Sequence, residues 1–307
     1  SFLKFGQPVV QVSKPLNLQA LLRDYPAADS ADASEILRAQ LLETLGREER
    51  VILGPTGEEP ATLWKDVSRR PEITGAVANM AAERGVSEDV VMLEAKKNFE
   101  EIAADPNLMM LKVLSSLLSL VWYRIYDGFE VDQEGMNRLR ETARDSQIVL
   151  VPSHKSHVAY LVLSYLFYQY GMTPPLIAAG VNLSFWPVGY IFRRAGAFFL
   201  RRTFKGAPLY SAVFREYVIR ILEEGYPLEF FIEGTRSRTG KLVKPRYGMI
   251  DMVVRAYASG RLDSLKIIPI SVGYERIIEE RAYRDEILGG EKEKESLGAL
   301  LRAPKFL

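Results

Sequence analysis

The chain has only two histidines, His154 and His157, and they lie three residues apart. Imidazole is the side chain whose ordinary pKa falls near neutrality, so the chain concentrates its neutral-pH proton chemistry in one short segment. At the end of an apolar run and beside cationic segments, His154 could take a proton from a substrate hydroxyl. Its second ring nitrogen would need a partner, usually a carboxylate, to fix the tautomer. Cations follow in the next segments. Arg201 and Arg202 close the run Gly196 to Leu200, with Lys205 just beyond. Arg236, Arg238 and Lys241 follow Phe231, Ile232, Glu233 and Gly234, interleaved with Ser237 and two threonines. A guanidinium presents a planar fork that matches phosphate oxygens, and a glycine lets a ligand approach the backbone, so these segments suit a phosphorylated substrate. The spacing from Gly234 to Gly240, Lys241 and Leu242 does not fit a Walker A loop. A fourth segment, Ile267 to Gly273, carries Pro269 inside an apolar run. A proline there marks a sheet edge or a special wall.

These segments need a scaffold. Gln147 to Val151 reads as a buried strand, and Tyr160 to Tyr168 as the start of an apolar helix. Strand-like runs recur at 197–200, 228–232 and 265–272, with helix-like stretches at 158–170, 209–225 and 248–259, and a short run at 176–179 leads into an aromatic segment. This rhythm predicts an α/β fold, a mixed and mostly parallel sheet flanked by helices, with ligands outside the strand ends. Upstream, 3–12 reads as a short strand, 32–50 as a helix and 54–57 as a turn. Residues 61–104 read as helical, interrupted at Gly75 and Gly85, with a helix start at Ser87. The expected division is a mainly helical region at 1–105 and a catalytic domain at 106–307.

Of the 307 residues 48% are hydrophobic and 26% charged, enough apolar material for a substantial core. There is no cysteine, which rules out a disulfide framework and a thiolate zinc site. The net charge is +1, yet residues 193–246 hold twelve Lys/Arg against five Asp/Glu. A local cationic block in a neutral chain suggests an anionic substrate or surface rather than nucleic acid, for which no motif is present. Residues 107–126 form the most apolar stretch, ending in Trp122, Tyr123 and Arg124. Its uncharged part falls short of the ~18–20 residues that span a bilayer, so it reads as a core helix or as one lying in a membrane interface.

Taken in order, the four segments at His154 to Ala159, Gly196 to Arg202, Phe231 to Arg238 and Ile267 to Gly273 resemble the glycerol-3-phosphate acyltransferase family of membrane-associated lipid-synthesis enzymes. The stretch Val121 to Val131 is similar to its bacterial branch, and the resemblance is strong over roughly 90–275. It implies transfer of a fatty acyl group from acyl-CoA or acyl carrier protein to the sn-1 hydroxyl of glycerol 3-phosphate, giving lysophosphatidic acid. It implies His154 as general base, with no metal or other cofactor and no covalent acyl-enzyme. Arg201, Arg202, Arg236, Ser237 and Arg238 would hold the phosphate, and Glu233, Gly234 and Pro269 would shape the acceptor site. Phe185, Trp186 and Phe199 are expected either as walls for the acyl chain or as core. The resemblance also implies a membrane surface as partner, at the cytoplasmic face of the bacterial inner membrane. The looser match of the N-terminal part leads to the expectation that the chain is a fragment of a longer protein. Related readings are an acyltransferase acting on lysophosphatidic acid or dihydroxyacetone phosphate, and a non-catalytic module binding membranes or acyl carriers.

One position departs from the family pattern. The first motif is His-x4-Asp, and the residue that follows the four intervening ones is Ala159. A methyl group offers the imidazole no acceptor. An engineered inactive variant and a natural non-catalytic relative both fit this departure. By analogy with a triad stripped of its acid, Ala159→Asp is expected to raise acyl-transfer turnover by a factor on the order of 10³–10⁴. A radiolabelled acyl-transfer assay on the two proteins measures it, and an unchanged rate counts against the catalytic role of His154.

Overall fold

The computed structural model describes residues 17–23, 30–53, 59–125, 130–154, 159–235 and 243–273. The expected strand at 3–12 and turn at 54–57 lie outside them. Five strands form one sheet: β1 Gln147–Pro152, β2 Leu176–Gly180, β3 Ala197–Leu200, β4 Leu228–Glu229 and β5 Leu265–Ile270. Their spatial order is β3-β2-β4-β1-β5, and every neighbouring pair is parallel. Parallel strands are covered on both faces, which is why Ile148, Val149 and Leu150 are all buried in succession. Pro269 falls on β5, an edge of this sheet, paired with Val151. An edge strand tolerates a residue that has no N–H to donate.

The helices are α1 Leu18–Arg23, α2 Ser30–Leu53, α3 Pro60–Ser68, α4 Pro71–Arg84, α5 Glu88–Ile102, α6 Leu108–Ile125, α7 Gln133–Asp145, α8 Ala159–Gln169, α9 Val188–Arg194, α10 Pro208–Glu223 and α11 Gly248–Ala258. The helical reading of 61–104 therefore holds, with the break at Gly85 and the helix start at Ser87 in place and the break at Gly75 relocated. Gly75 sits inside α4, while the chain breaks before Pro71, a residue suited to the first turn of a helix. Gly85 ends α4 in the left-handed conformation, with φ of 63°.

The main core lies on one face of the sheet. α10 contributes Val213, Phe214, Tyr217, Val218 and Ile221, which meet Phe198, Val149 and Leu228 from the strands. α3, α4 and α5 join the same core through Val67, Ile73, Val77, Val91 and Phe99. α3, α4 and α5 and the sheet thus bury their apolar faces together. The Tyr217 hydroxyl accepts the Ala104 amide at 2.9 Å, which anchors the end of α5 to α10. On the opposite face, Leu139 of α7 and Phe167 of α8 cover Ile148 and Leu150. Sheet and helices form three layers, as the alternation of strand and helix anticipates.

Two charged features interrupt this core. Glu216 of α10 is fully buried, and Arg70 and Arg261 both reach its carboxylate, at 3.0 and 2.9 Å. Glu229 of β4 is fully buried too, and neither of its oxygens has a hydrogen-bond partner among the described residues. It is in register with Leu150 and Ile177, in the middle of the sheet. Burial pushes its carboxyl well above the ordinary range, so the folded state favours the protonated form. A raised folded pKa contributes stability that is complete below the unfolded value, near 4.3, and is lost as pH rises through the folded value. Glu229→Gln cannot ionise, so its stability relative to the parent is expected to increase between pH 5 and pH 8. Denaturant unfolding at the two pH values checks this; an unchanged difference would mean that Glu229 ionises freely in the fold.

Candidate active site

The site lies where β1 and β4 end side by side. Ser153 donates its N–H to the Ile270 carbonyl at 3.0 Å, tying the end of β1 to β5. The next amide, that of His154, donates to Glu233 Oε1 at 2.9 Å. The other carboxylate oxygen of Glu233 accepts the Val243 N–H, also at 2.9 Å. Glu233 is only 3% exposed, so a buried carboxylate joins the end of β1, the turn after β4 and the incoming segment 243–247. Hydrogen bonds to an ionised acceptor are among the stronger kind. The His154 ring stacks on Phe231, with centroids 4.0 Å apart and planes 24° from parallel. Backbone and ring are thus each held by the turn that follows β4.

That turn corrects one expectation. The apolar run 228–232 forms a strand only at Leu228–Glu229. Phe230 still donates its N–H to the Leu150 carbonyl, and the chain then turns, with the Gly234 N–H bonded to the Phe231 carbonyl. Gly234 adopts φ of 64°, where a side chain would be strained. Its missing Cβ also leaves room for Arg246, whose Cδ lies 2.7 Å from where that atom would stand.

A cavity of about 1210 Å³ opens at this point, and His154, Arg202, Gly234, Thr235 and Arg246 all line it. His154 and Arg202 thus border the same cavity. Toward α6 and α8 the lining turns apolar, with Leu111, Leu114, Leu161, Ile177, Leu183 and Phe192. Such an arm suits a hydrocarbon chain.

The other expected site residues divide. Arg201 borders the cavity, but its guanidinium is bidentate with Glu101 at 2.8 and 2.6 Å, reaches Asn98 and stacks over Tyr210. The hydrogen bond to Glu101 raises its pKa further, so this arginine is committed to fastening β3 to α5. Arg202 is exposed and has no ion pair among the described residues. Glu233 spends both oxygens on backbone amides, so it shapes the site by holding the chain. Phe199 is fully buried, with Arg193 over its ring, and is core rather than wall. Trp186 is 84% exposed, neither core nor cavity wall. Pro269 sits beside β1 on the sheet edge. Ala159 begins α8, while His157, Arg236, Ser237 and Arg238 lie outside the described residues. The aliphatic lining from α6 and α8 and the position of Arg246 escape the motif reading. Periodicity marks those leucines as apolar without saying that they face a cavity.

Residues 130–273 match the family model described as Acyltransferase, a span that holds all four motifs. Over this segment the chain is similar to that family. The segment and what precedes it are also similar to curated bacterial proteins. The chain is 40% identical to a glycerol-3-phosphate acyltransferase of Pasteurella multocida strain Pm70, over 99% of this chain and 37% of that protein. It is 39% identical to the protein of the same name from Histophilus somni strain 129Pt, with the same coverage. For the one from Haemophilus influenzae strain PittEE the identity is 38%, again over 99% and 37%. The chain thus spans a little over a third of the length of these relatives.

The Glu233 clamp makes a separate prediction. Glu233→Gln keeps the shape but replaces one acceptor oxygen by an amide group that cannot accept, so one of the two backbone N–H groups loses its partner. The expected loss is about 1–3 kcal/mol of unfolding free energy, read by denaturant titration.

Proposed function

We propose that this chain carries the catalytic centre of a glycerol-3-phosphate 1-O-acyltransferase, the activity named for its relatives. The observation that supports this reading most directly is the single cavity lined by His154 and Arg202, with an apolar arm leading away from them. In this mechanism Arg202, with Arg236, Ser237 and Arg238 of the third motif, holds the acceptor phosphate. His154 takes the proton of the sn-1 hydroxyl as the oxygen attacks the thioester carbonyl of acyl-CoA or acyl carrier protein. The C–S bond of the tetrahedral intermediate then breaks, and the imidazolium returns its proton to the departing thiolate. Ester and free thiol are the products, no acyl-enzyme forms, and the imidazole ends as it began. The acyl chain occupies the arm between α6 and α8. An aspartate at 159 would orient the imidazole and support its charge, so the chain with Ala159 is an impaired form of the enzyme.

We further propose a peripheral location at the cytoplasmic face of the bacterial inner membrane. No helix of the described residues is long and apolar enough to cross a membrane. The outer face of α6 exposes Met109, Val113 and Leu117 at 76, 59 and 57%, and Trp186 lies open at 84%. Apolar residues four apart on a helix, with an exposed tryptophan, suit a helix lying in the plane of an interface. The same helix lines the cavity through Leu111 and Leu114, so a chain leaving the lipid would have a short path to the site.

The decisive test adds His154→Ala to the Ala159→Asp protein. Turnover with glycerol 3-phosphate is expected to fall by a factor on the order of 10²–10⁴, with the product identified as lysophosphatidic acid. The same assay with lysophosphatidic acid and dihydroxyacetone phosphate sets the acceptor. A preference for either, or a rate indifferent to His154, would displace the reading.

A further inference from the structure

We infer that Arg246 is an anion ligand of the acceptor site, seated by Gly234. It lies outside all four motifs, eight residues beyond Arg238. The inference rests on the acceptor reading above and adds to it a residue and the reason for a glycine.

Three observations carry it. The first is that the backbone at Arg246 is fixed from two sides. Its N–H donates to the Ile232 carbonyl at 2.7 Å, and three residues earlier Val243 is held by the Glu233 carboxylate. The segment 243–246 is therefore tied to the same turn that carries Phe231 under the His154 ring. The second is the path of the side chain. Its stem passes over Gly234, where a Cβ would stand 2.7 Å from Cδ and 3.2 Å from Nε. Only a glycine permits that path, and the path brings Arg246 to the cavity that His154 and Arg202 also line. The third is the charge balance. Arg201 is spent on Glu101, and Arg70 and Arg261 on Glu216 and Glu223. Arg246, like Arg202, has no ion pair or hydrogen bond from its guanidinium among the described residues. Glu233, which holds the same segment, has both oxygens on backbone amides.

A long cationic side chain is floppy in water and loses that freedom when it binds. Crossing the bare face of Gly234 restrains the Arg246 stem in advance, so less freedom is lost when its fork meets a phosphate. Arg202 and Arg246 approach the cavity from different elements, one after β3 and one before α11. Two guanidiniums on separate elements define an orientation for a tetrahedral anion that one alone would leave free.

The test uses the full chain with Ala159→Asp, and adds Arg246→Ala, Arg246→Lys or Gly234→Ala. Binding of glycerol 3-phosphate and of inorganic phosphate is measured by calorimetry, with glycerol as the uncharged control. Arg246→Ala is expected to weaken both phosphorylated ligands by roughly tenfold or more, the size of a lost hydrogen bond to a charged group. The KM for glycerol 3-phosphate rises by the same factor while the KM for the acyl donor is unchanged, and Arg246→Lys recovers part of the loss. Gly234→Ala reproduces the rise in KM, with denaturant unfolding run alongside because its left-handed backbone disfavours a side chain. Phosphate binding that depends on Arg246 without binding of glycerol 3-phosphate would uphold the ligand role and sink the acceptor reading. Glycerol 3-phosphate bound equally well by Arg246→Ala would overturn the inference and leave the acceptor reading standing. A parent that binds neither ligand would end both.

Discussion

The site depends on one carboxylate in an unusual position. Glu233 is buried, and it faces two backbone N–H groups from segments far apart in the chain, His154 and Val243. An ionised group taken from water needs partners with good geometry, and two amides supply them. In return the carboxylate sets where β1 must end, where the turn after β4 must stand, and where the segment leading to α11 must come in. His154 gains its place through its backbone amide and through the stacking of its ring on Phe231. A third-motif acid that appears suited to substrate contact is in fact the joint that brings the first and third motifs together.

Arginines divide the same way between holding the fold and facing the cavity. Arg193 donates to the carbonyls of Glu101 and Ala103, and Arg201 grips the Glu101 side chain, so α5 is fastened to the sheet from two neighbouring places. Arg70 and Arg261 converge on Glu216 and Glu223 behind the sheet. These pairs are partly shielded from water and hold their geometry through several hydrogen bonds, which separates them from exposed pairs such as Arg84–Glu94. The excess of positive charge at 193–246 is therefore smaller at the cavity than a count suggests. Glu72, Glu216 and Asp251 border the same cavity, so its cations do not stand alone, but Arg202 and Arg246 have no ion pair among the described residues.

Helices upstream of the sheet matter to the site for the same reason. α5 supplies Glu101 to Arg201 and Phe99 to the core beside Tyr217, so the end of β3 takes its position from a helix that precedes the first motif by some fifty residues. α6 then works on two faces, apolar toward the cavity through Leu111 and Leu114 and apolar outward through Met109, Val113 and Leu117. The helix thus contributes to the cavity wall and leaves apolar side chains exposed on its other side.

Much of the fold is legible from local pattern. Parallel strands buried on both faces appear as continuous apolar runs, and β1, β2, β3 and β5 stand where those runs are. Helical periodicity locates the stretch that holds α3 to α5, Gly85 and Ser87 mark the break between α4 and α5, and α10 stands within a few residues of its expected place, whereas the break before Pro71 is missed. His154 and the ordered motifs around it are legible too, because histidine is scarce and its segment follows a strand. The sheet order β3-β2-β4-β1-β5 is not, and the site follows from that order. Arg201 and Arg202 are identical neighbours in sequence and both border the cavity, yet only the fold decides which of them is spent on Glu101. Glu233 looks like a ligand until His154 and Val243 arrive beside it, and Arg246 looks like a loop cation until Gly234 lies beneath it. Local sequence determines which segments become strand or helix because those preferences act over a few residues. Partners of a charge are decided by tertiary structure, because they are brought in from eighty or a hundred residues away.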